Sequence, residues 1–92
     1  MVLPEQQDQQ HNPYLKAALL EVVKNQLEAD DPSEVKETLN RLISQGISEE
    51  DAKIYIAPAV CVEIYNILKY KKPFDLKRYA KNLKRLPKEP QE

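Results

Sequence analysis

Carboxylates, lysines and one thiol are the side chains of this 92-residue chain that could do chemistry. Glu21 and Glu63 both fall in stretches with helical periodicity. Carboxylates from facing helices can converge on a metal ion, so Glu21 and Glu63 define a candidate polar site. Such centres usually add His ligands, and the only His is His11, near the N-terminus. A nucleophile needs a tuned base beside a Ser or Cys, and His11 is poorly placed to be one. Cys61 is the only cysteine and sits in the most apolar stretch, where a thiol is an inert core group. A phosphate cradle needs several Gly, and Gly46 is the only one. Zinc sites need Cys/His clusters, which the sequence lacks. The expectation is a protein with no catalytic residues, no metal and no cofactor.

The second candidate is basic. Residues 1–68 hold 5 Lys/Arg against 12 Asp/Glu, a net of −7. Residues 69–92 hold 9 against 3, a net of +6, so the formal charge of −1 hides a strongly basic end. Lys71, Lys72, Lys77, Lys81, Lys84 and Arg85 form a candidate nucleic-acid-binding set, with Tyr70 and Phe74 interleaved. Basic groups hold phosphates and aromatic rings stack on bases. The competing reading is a solvated face. Lysines near a helix C-terminus complement its dipole, and the acidic body would attract the basic end within the fold.

Four helices must position these groups. Asn12-Pro13, Asp31-Pro32 and Ser48 each place a capping residue before an apolar periodic run, with Pro at the first helical position in two of them. Helix 1 is expected over about 13–28, with Leu15, Leu19, Val22, Val23 and Leu27 on one stripe. Helix 2 is expected over about 32–45, with Val35, Leu39, Leu42 and Ile43 inward and Gly46 closing it in a left-handed conformation. Glu37 and Arg41 are spaced for an ion pair on its outer side. Helix 3 is expected from Ser48 to about Tyr70, with Asp51 completing a weak capping box. It is apolar on most sides, hence central, and Pro58 inside it predicts a kink. Its thin polar stripe of Ala59, Glu63, Asn66 and Tyr70 is expected to face solvent. Helix 4 is expected over about 76–86, capped by Asp75, with Phe74 and Tyr79 forming a hydrophobic staple. Leu76, Tyr79, Ala80, Leu83 and Leu86 share one side, and the basic residues share the other.

No period-two alternation or hairpin turn suggests a strand. A 41% hydrophobic, 32% charged composition supports a folded core. One cysteine excludes an intrachain disulfide and fits a reducing compartment. The N-terminal residues lack the pattern of a signal peptide, and no apolar run reaches membrane-spanning length. The expected location is the cytoplasm.

The stretches NPYLKAALLEVVKNQL, DPSEVKETLNRLISQGISEEDAKIYI and EIYNILKYKKPFDLKRYAKNLKRLP carry a resemblance. From Asn12 to Pro87 the chain resembles a family of small bacterial helical domains of unknown function. Its most specific parts are Asn12-Pro13, Asn25-Gln26, Asp31-Pro32, Arg41-Leu42 with Gly46, and Pro73-Phe74-Asp75, mostly caps and turns. The resemblance implies His pairs four apart on helix 1 and at the start of helix 3. The matching positions here are Lys16, Leu20, Glu50 and Ile54, so no metal is implied for this chain. Gln26 and Glu63 match polar positions of the family. That adds Gln26 to the candidate polar site, with hydrogen bonding to a neighbouring helix end or to solvent as the simpler role.

These observations predict an all-α protein, a four-helix bundle over 12–87 with a kinked central helix 3. Flexible, disordered ends are expected at 1–11, Gln-rich, and at 88–92. The expected core is Leu15, Leu19, Val23, Leu39, Leu42, Ile56, Val60, Ile64, Leu68, Tyr79 and Leu83. The leading functional expectation is a non-catalytic protein-interaction or structural module, bound to a protein partner or to a second copy as a homodimer. Nucleic-acid binding through the basic face is the alternative, and a carboxylate metal-binding protein is the third. A membrane surface is not an expected partner, because the apolar face of helix 4 is short.

Overall fold

The computed structural model describes residues 13–88, and four helices account for most of them. α1 spans Pro13–Ala29, α2 Ser33–Ser44, α3 Glu49–Tyr70 and α4 Leu76–Arg85. The fold is all-α, with no strand among the described residues. Asn12, His11 and the two expected tails, apart from Lys88, lie outside the described residues. The backbone N–H of Lys88 donates to Arg85 O at 2.9 Å, so the last described turn is still hydrogen-bonded.

Local chemistry explains the helix starts. Ser48 Oγ accepts from the backbone N–H of Asp51 at 3.1 Å and opens α3. Asp75 Oδ1 accepts from the backbone N–H of Arg78 at 3.0 Å and opens α4. Each oxygen satisfies one of the N–H groups that a helix start leaves without an internal partner. α2 departs from expectation. Pro32 occupies the capping position itself, with no side-chain cap, and the helix begins at Ser33. Asp31 is engaged instead in closing α1.

Three helices end on a left-handed residue. Asp30 (φ 52°) closes α1, with Asp31 N–H on Gln26 O and Asp30 N–H on Leu27 O. Gly46 (φ 95°) closes α2 in the same way, with Ile47 N–H on Leu42 O and Gly46 N–H on Ile43 O. These paired bonds are the Schellman arrangement. Lys71 (φ 58°) closes α3 with a single bond to Ile67 O. Only one of the three positions carries the residue for which that conformation is free of strain.

α3 packs against each of the other three helices, so it is the central element, as its apolar composition suggested. Its Ala52, Ile56, Ala57, Ala59 and Val60 are buried among Leu19 and Val23 of α1, Val35, Leu39 and Leu42 of α2, and Tyr79 and Leu83 of α4. Pro58 lies within one continuous helix, on its exposed side. There, water can satisfy the carbonyl that its missing N–H leaves free.

Several expected core positions are corrected. Leu15 is 43% exposed, within a run of exposed residues from Tyr14 to Ala18. Ile43 is also exposed, because Val35, Thr38, Leu39 and Leu42 fill the inward stripe of α2. Leu68 is 66% exposed on the outer side of α3, and Ile64 is half-buried against the core. Arg41 turns away from the expected pairing with Glu37. Its Nη1 and Nη2 donate to Leu86 O and Leu83 O, both at 2.9 Å, and so cap the C-terminal end of α4.

Candidate functional site

The central helix is rotated relative to the sequence-based expectation. Glu63 is fully buried, Asn66 and Ala59 are buried, and only Tyr70 of the expected solvent stripe is exposed. The reason is a partner on another helix. Glu63 Oε2 accepts from Arg78 Nε at 2.6 Å and Oε1 from Arg78 Nη2 at 2.8 Å. Oε1 also accepts from the backbone N–H of Asp75, the capping residue of α4, at 2.9 Å. A buried carboxylate is tolerated when paired and hydrogen-bonded, and the planar guanidinium satisfies both oxygens together. Asn66 Nδ2 donates back to Val62 O at 2.8 Å, which lets its amide lie inside.

Tyr79 continues this polar cluster through the core. Its hydroxyl donates to Gln26 Oε1 at 2.6 Å, and its ring meets Phe74 edge-on at 5.1 Å, the expected staple. Burial pushes the Tyr79 hydroxyl well above its ordinary value of 10.0, and the neighbouring Glu63 carboxylate adds to the rise. The backbones of α1 and α4 do not adjoin among the described residues, so this side-chain bond bridges them.

Of the candidate polar set, Gln26 and Glu63 therefore both adjoin Tyr79, whereas Glu21 is exposed on α1. The pairing of Glu21 with Glu63 at a metal is corrected: Glu63 is taken up by Arg78 and Asp75, and Glu21 points to solvent. No group of three or more His, Cys, Asp or Glu that could hold a metal occurs among the described residues. The sequence reading missed Arg78, Arg41 and the bridging role of Tyr79. A usable signal was present. One acid lies within an apolar helix, and an Arg stands among lysines three residues after the cap of α4.

With the polar stripe turned inward, the opposite side of α3 is apolar and exposed. Ile54, Tyr55, Pro58, Tyr65 and Leu68 are exposed, and Cys61 and Val62 are half-exposed between them. Their spacing of three and four residues makes one continuous stripe along the helix. At its C-terminal end, Lys69 Nζ donates to Tyr65 Oη at 2.7 Å. The ammonium lies 5.2 Å from the Tyr65 ring centre, about as far as the ring's own length plus that bond allows. It therefore sits off the ring edge rather than over the face. Lys69 and Lys72 also flank the Tyr70 ring, at 5.3 and 5.9 Å from its centre.

The basic set divides. Lys71, Lys72, Lys77, Lys81 and Lys84 are exposed, whereas Arg85 is half-buried, with its Nε buried and unpartnered. Lys77, Lys81 and Lys84 lie along one outer stripe of α4. Phe74 is corrected as a stacking platform, since it is half-buried against Tyr79. Tyr70 keeps an exposed ring.

A family model described as "Domain of unknown function (DUF1841)" matches residues 3–85. The chain belongs to this family. The match covers all four helices of the DUF1841 domain seen here, together with the cluster of Gln26, Glu63, Arg78 and Tyr79 and the apolar stripe of α3. No curated protein and no solved structure matches the chain. No described helix is long and apolar enough to cross a membrane.

Proposed function

We propose that this DUF1841 protein is a non-catalytic protein-interaction module whose contact surface is the outer face of α3. The observation that carries this reading is the rotated central helix, which buries Glu63 and Asn66 beside its apolar core residues and leaves an aromatic and aliphatic stripe outside. Isolated apolar residues on a surface need no explanation, but a contiguous exposed apolar stripe marks a contact site. Tyr is enriched among residues that dominate binding energy, and an apolar helix face at this spacing is how helices dock. The buried cluster around Glu63 supports the non-catalytic part of the reading. Both oxygens of Glu63 are occupied by donors of the protein itself.

The test places a photo-crosslinking amino acid at Tyr65 or Leu68, with Lys36 on α2 as the control position. Discrete protein adducts from Tyr65 and Leu68, and none from Lys36, are expected in cells. Equal or absent crosslinking at all three positions would remove the reading.

The basic face of α4 supports a second reading, nucleic-acid binding through Lys71, Lys72, Lys77, Lys81 and Lys84. These five lysines are exposed, and the ion pairs among the described residues, Lys53–Glu49 and Arg78–Glu63, do not involve them. Anisotropy titrations with a single-stranded RNA and a DNA duplex test it. Binding that falls steeply with salt and vanishes when Lys77, Lys81 and Lys84 become Gln is the expected signature. No binding at low salt would rule this second reading out.

A further inference from the structure

We propose that the outer face of α3 is where two copies of this chain meet, antiparallel, across a twofold axis near Cys61 and Val62. The inference rests on the reading of that face as the contact surface and names its occupant. The charges at the two ends of the stripe make the choice. Glu49, Glu50 and Asp51 form its N-terminal end, and Lys69, Lys71 and Lys72 its C-terminal end. Between them the outer face is uncharged from Ile54 to Leu68, about 21 Å of helix. A parallel pairing would set acid on acid and base on base. An antiparallel pairing sets acid on base, and twofold symmetry makes that contact twice.

The spacing also fixes the register. With the axis between Cys61 and Val62, Tyr55 comes opposite Leu68 of the second copy and Pro58 opposite Tyr65, and the acidic start of each α3, Asp51 included, faces the other's basic end from Lys69 to Lys72. Apolar groups then meet apolar groups from Tyr55 to Leu68, and Lys69 lies beside Ile54 only at the two exposed ends. Sliding one copy by a turn, about 5 Å, would bring Lys69 onto Pro58 in one direction and Asp51 onto Leu68 in the other. Either shift carries a charge inward from the exposed end of the stripe and sets it against an apolar group there, which is unfavourable. Cys61 and Val62, the smallest half-exposed side chains of the stripe, sit at the centre, where close approach of the two helices is needed.

Cys61 is the only thiol in the chain, which makes the geometry directly testable. The full-length protein is examined by sedimentation velocity over about a hundredfold range of concentration, and in parallel is treated with a short bis-maleimide. The expected result is a species of twice the chain mass, and a covalent dimer that Cys61→Ser abolishes. Tyr65→Ser and, independently, Leu68→Gln should each raise the dissociation constant, the former on the order of tenfold or more, with the far-ultraviolet circular dichroism unchanged. Asp51→Lys should weaken the dimer, and Lys72→Asp in the same chain should restore it. A chain that stays monomeric overturns the proposal. So does a dimer that Cys61 does not crosslink, or one in which the charge exchange gives no rescue. If the chain is monomeric while the photo-crosslinker at Tyr65 captures a different protein, only self-pairing fails. If it captures nothing, the contact-surface reading fails with it.

Discussion

Glu63 and Arg78 set the orientation of two helices from a single contact. The carboxylate is fully buried and takes three donors, two of them from Arg78. Removing one member of such a pair leaves the other buried and uncompensated, at a cost of about 3–5 kcal/mol. Glu63→Gln keeps an oxygen for Asp75 but turns an amide N–H₂ toward the guanidinium. It should lower the unfolding free energy by about 3 kcal/mol in urea titrations. Arg78→Leu should cost at least as much. The double variant Glu63→Leu with Arg78→Leu should lose less than the summed losses of Glu63→Leu alone and Arg78→Leu alone, because no charge is then stranded. A Glu63→Gln protein as stable as the parent would show that this cluster does not hold α4. The sequence displayed both residues without displaying the pair, since the partners lie on different helices and the helical period speaks only for one helix at a time.

At the scale of the elements, helix ends were the most legible feature and helix rotation the least. The caps at Ser48 and Asp75, the Phe74–Tyr79 staple and the turn at Gly46 are local, so a few adjacent residues determine them. The rotation of α3 is not local. Its apolar residues encircle the helix, and assigning the polar minority to solvent followed the general tendency of charged groups to stay wet. The ion pair with Arg78 reversed that tendency and sent Leu68 outward with the apolar stripe. Asp31 went astray for a related reason, as the end of α1 claimed it before α2 could. The left-handed helix ends give opposed predictions. At Gly46 a Cβ would meet nothing within 4 Å, so Gly46→Ala should cost only the conformational strain of its φ, about 1 kcal/mol. Lys71 already bears that strain at φ 58°, so Lys71→Gly should raise stability by about 0.5–1 kcal/mol. Thermal unfolding of the two variants reads both signs, and equal signs would contradict the left-handed assignment at one of them.

For the molecule as a whole, Tyr79 is the point where alkaline pH should act. It joins α1 to α4 through Gln26, lies beside Glu63, and is itself fully buried. Its hydroxyl is held well above the value of 10.0 that it has in an unfolded chain, chiefly by burial. Above that pH the unfolded chain releases the proton while the folded one keeps it, so the folded state binds more protons. Stability must then fall as pH rises, and the contribution of Tyr79 is fully present only below the unfolded value. Ionisation would also remove the proton donated to Gln26 and place a phenolate next to a carboxylate in the core. Phenolate absorbance from Tyr79 should therefore appear together with the loss of helical circular dichroism, not before it. Tyr79→Phe supplies the control. It loses the Gln26 hydrogen bond, at a cost of about 1 kcal/mol at neutral pH. Its stability should nevertheless decline less steeply above pH 10.0 than that of the parent. Parallel declines in the two proteins would mean that Tyr79 ionises without unfolding the bundle, and that α1 and α4 are held together without it.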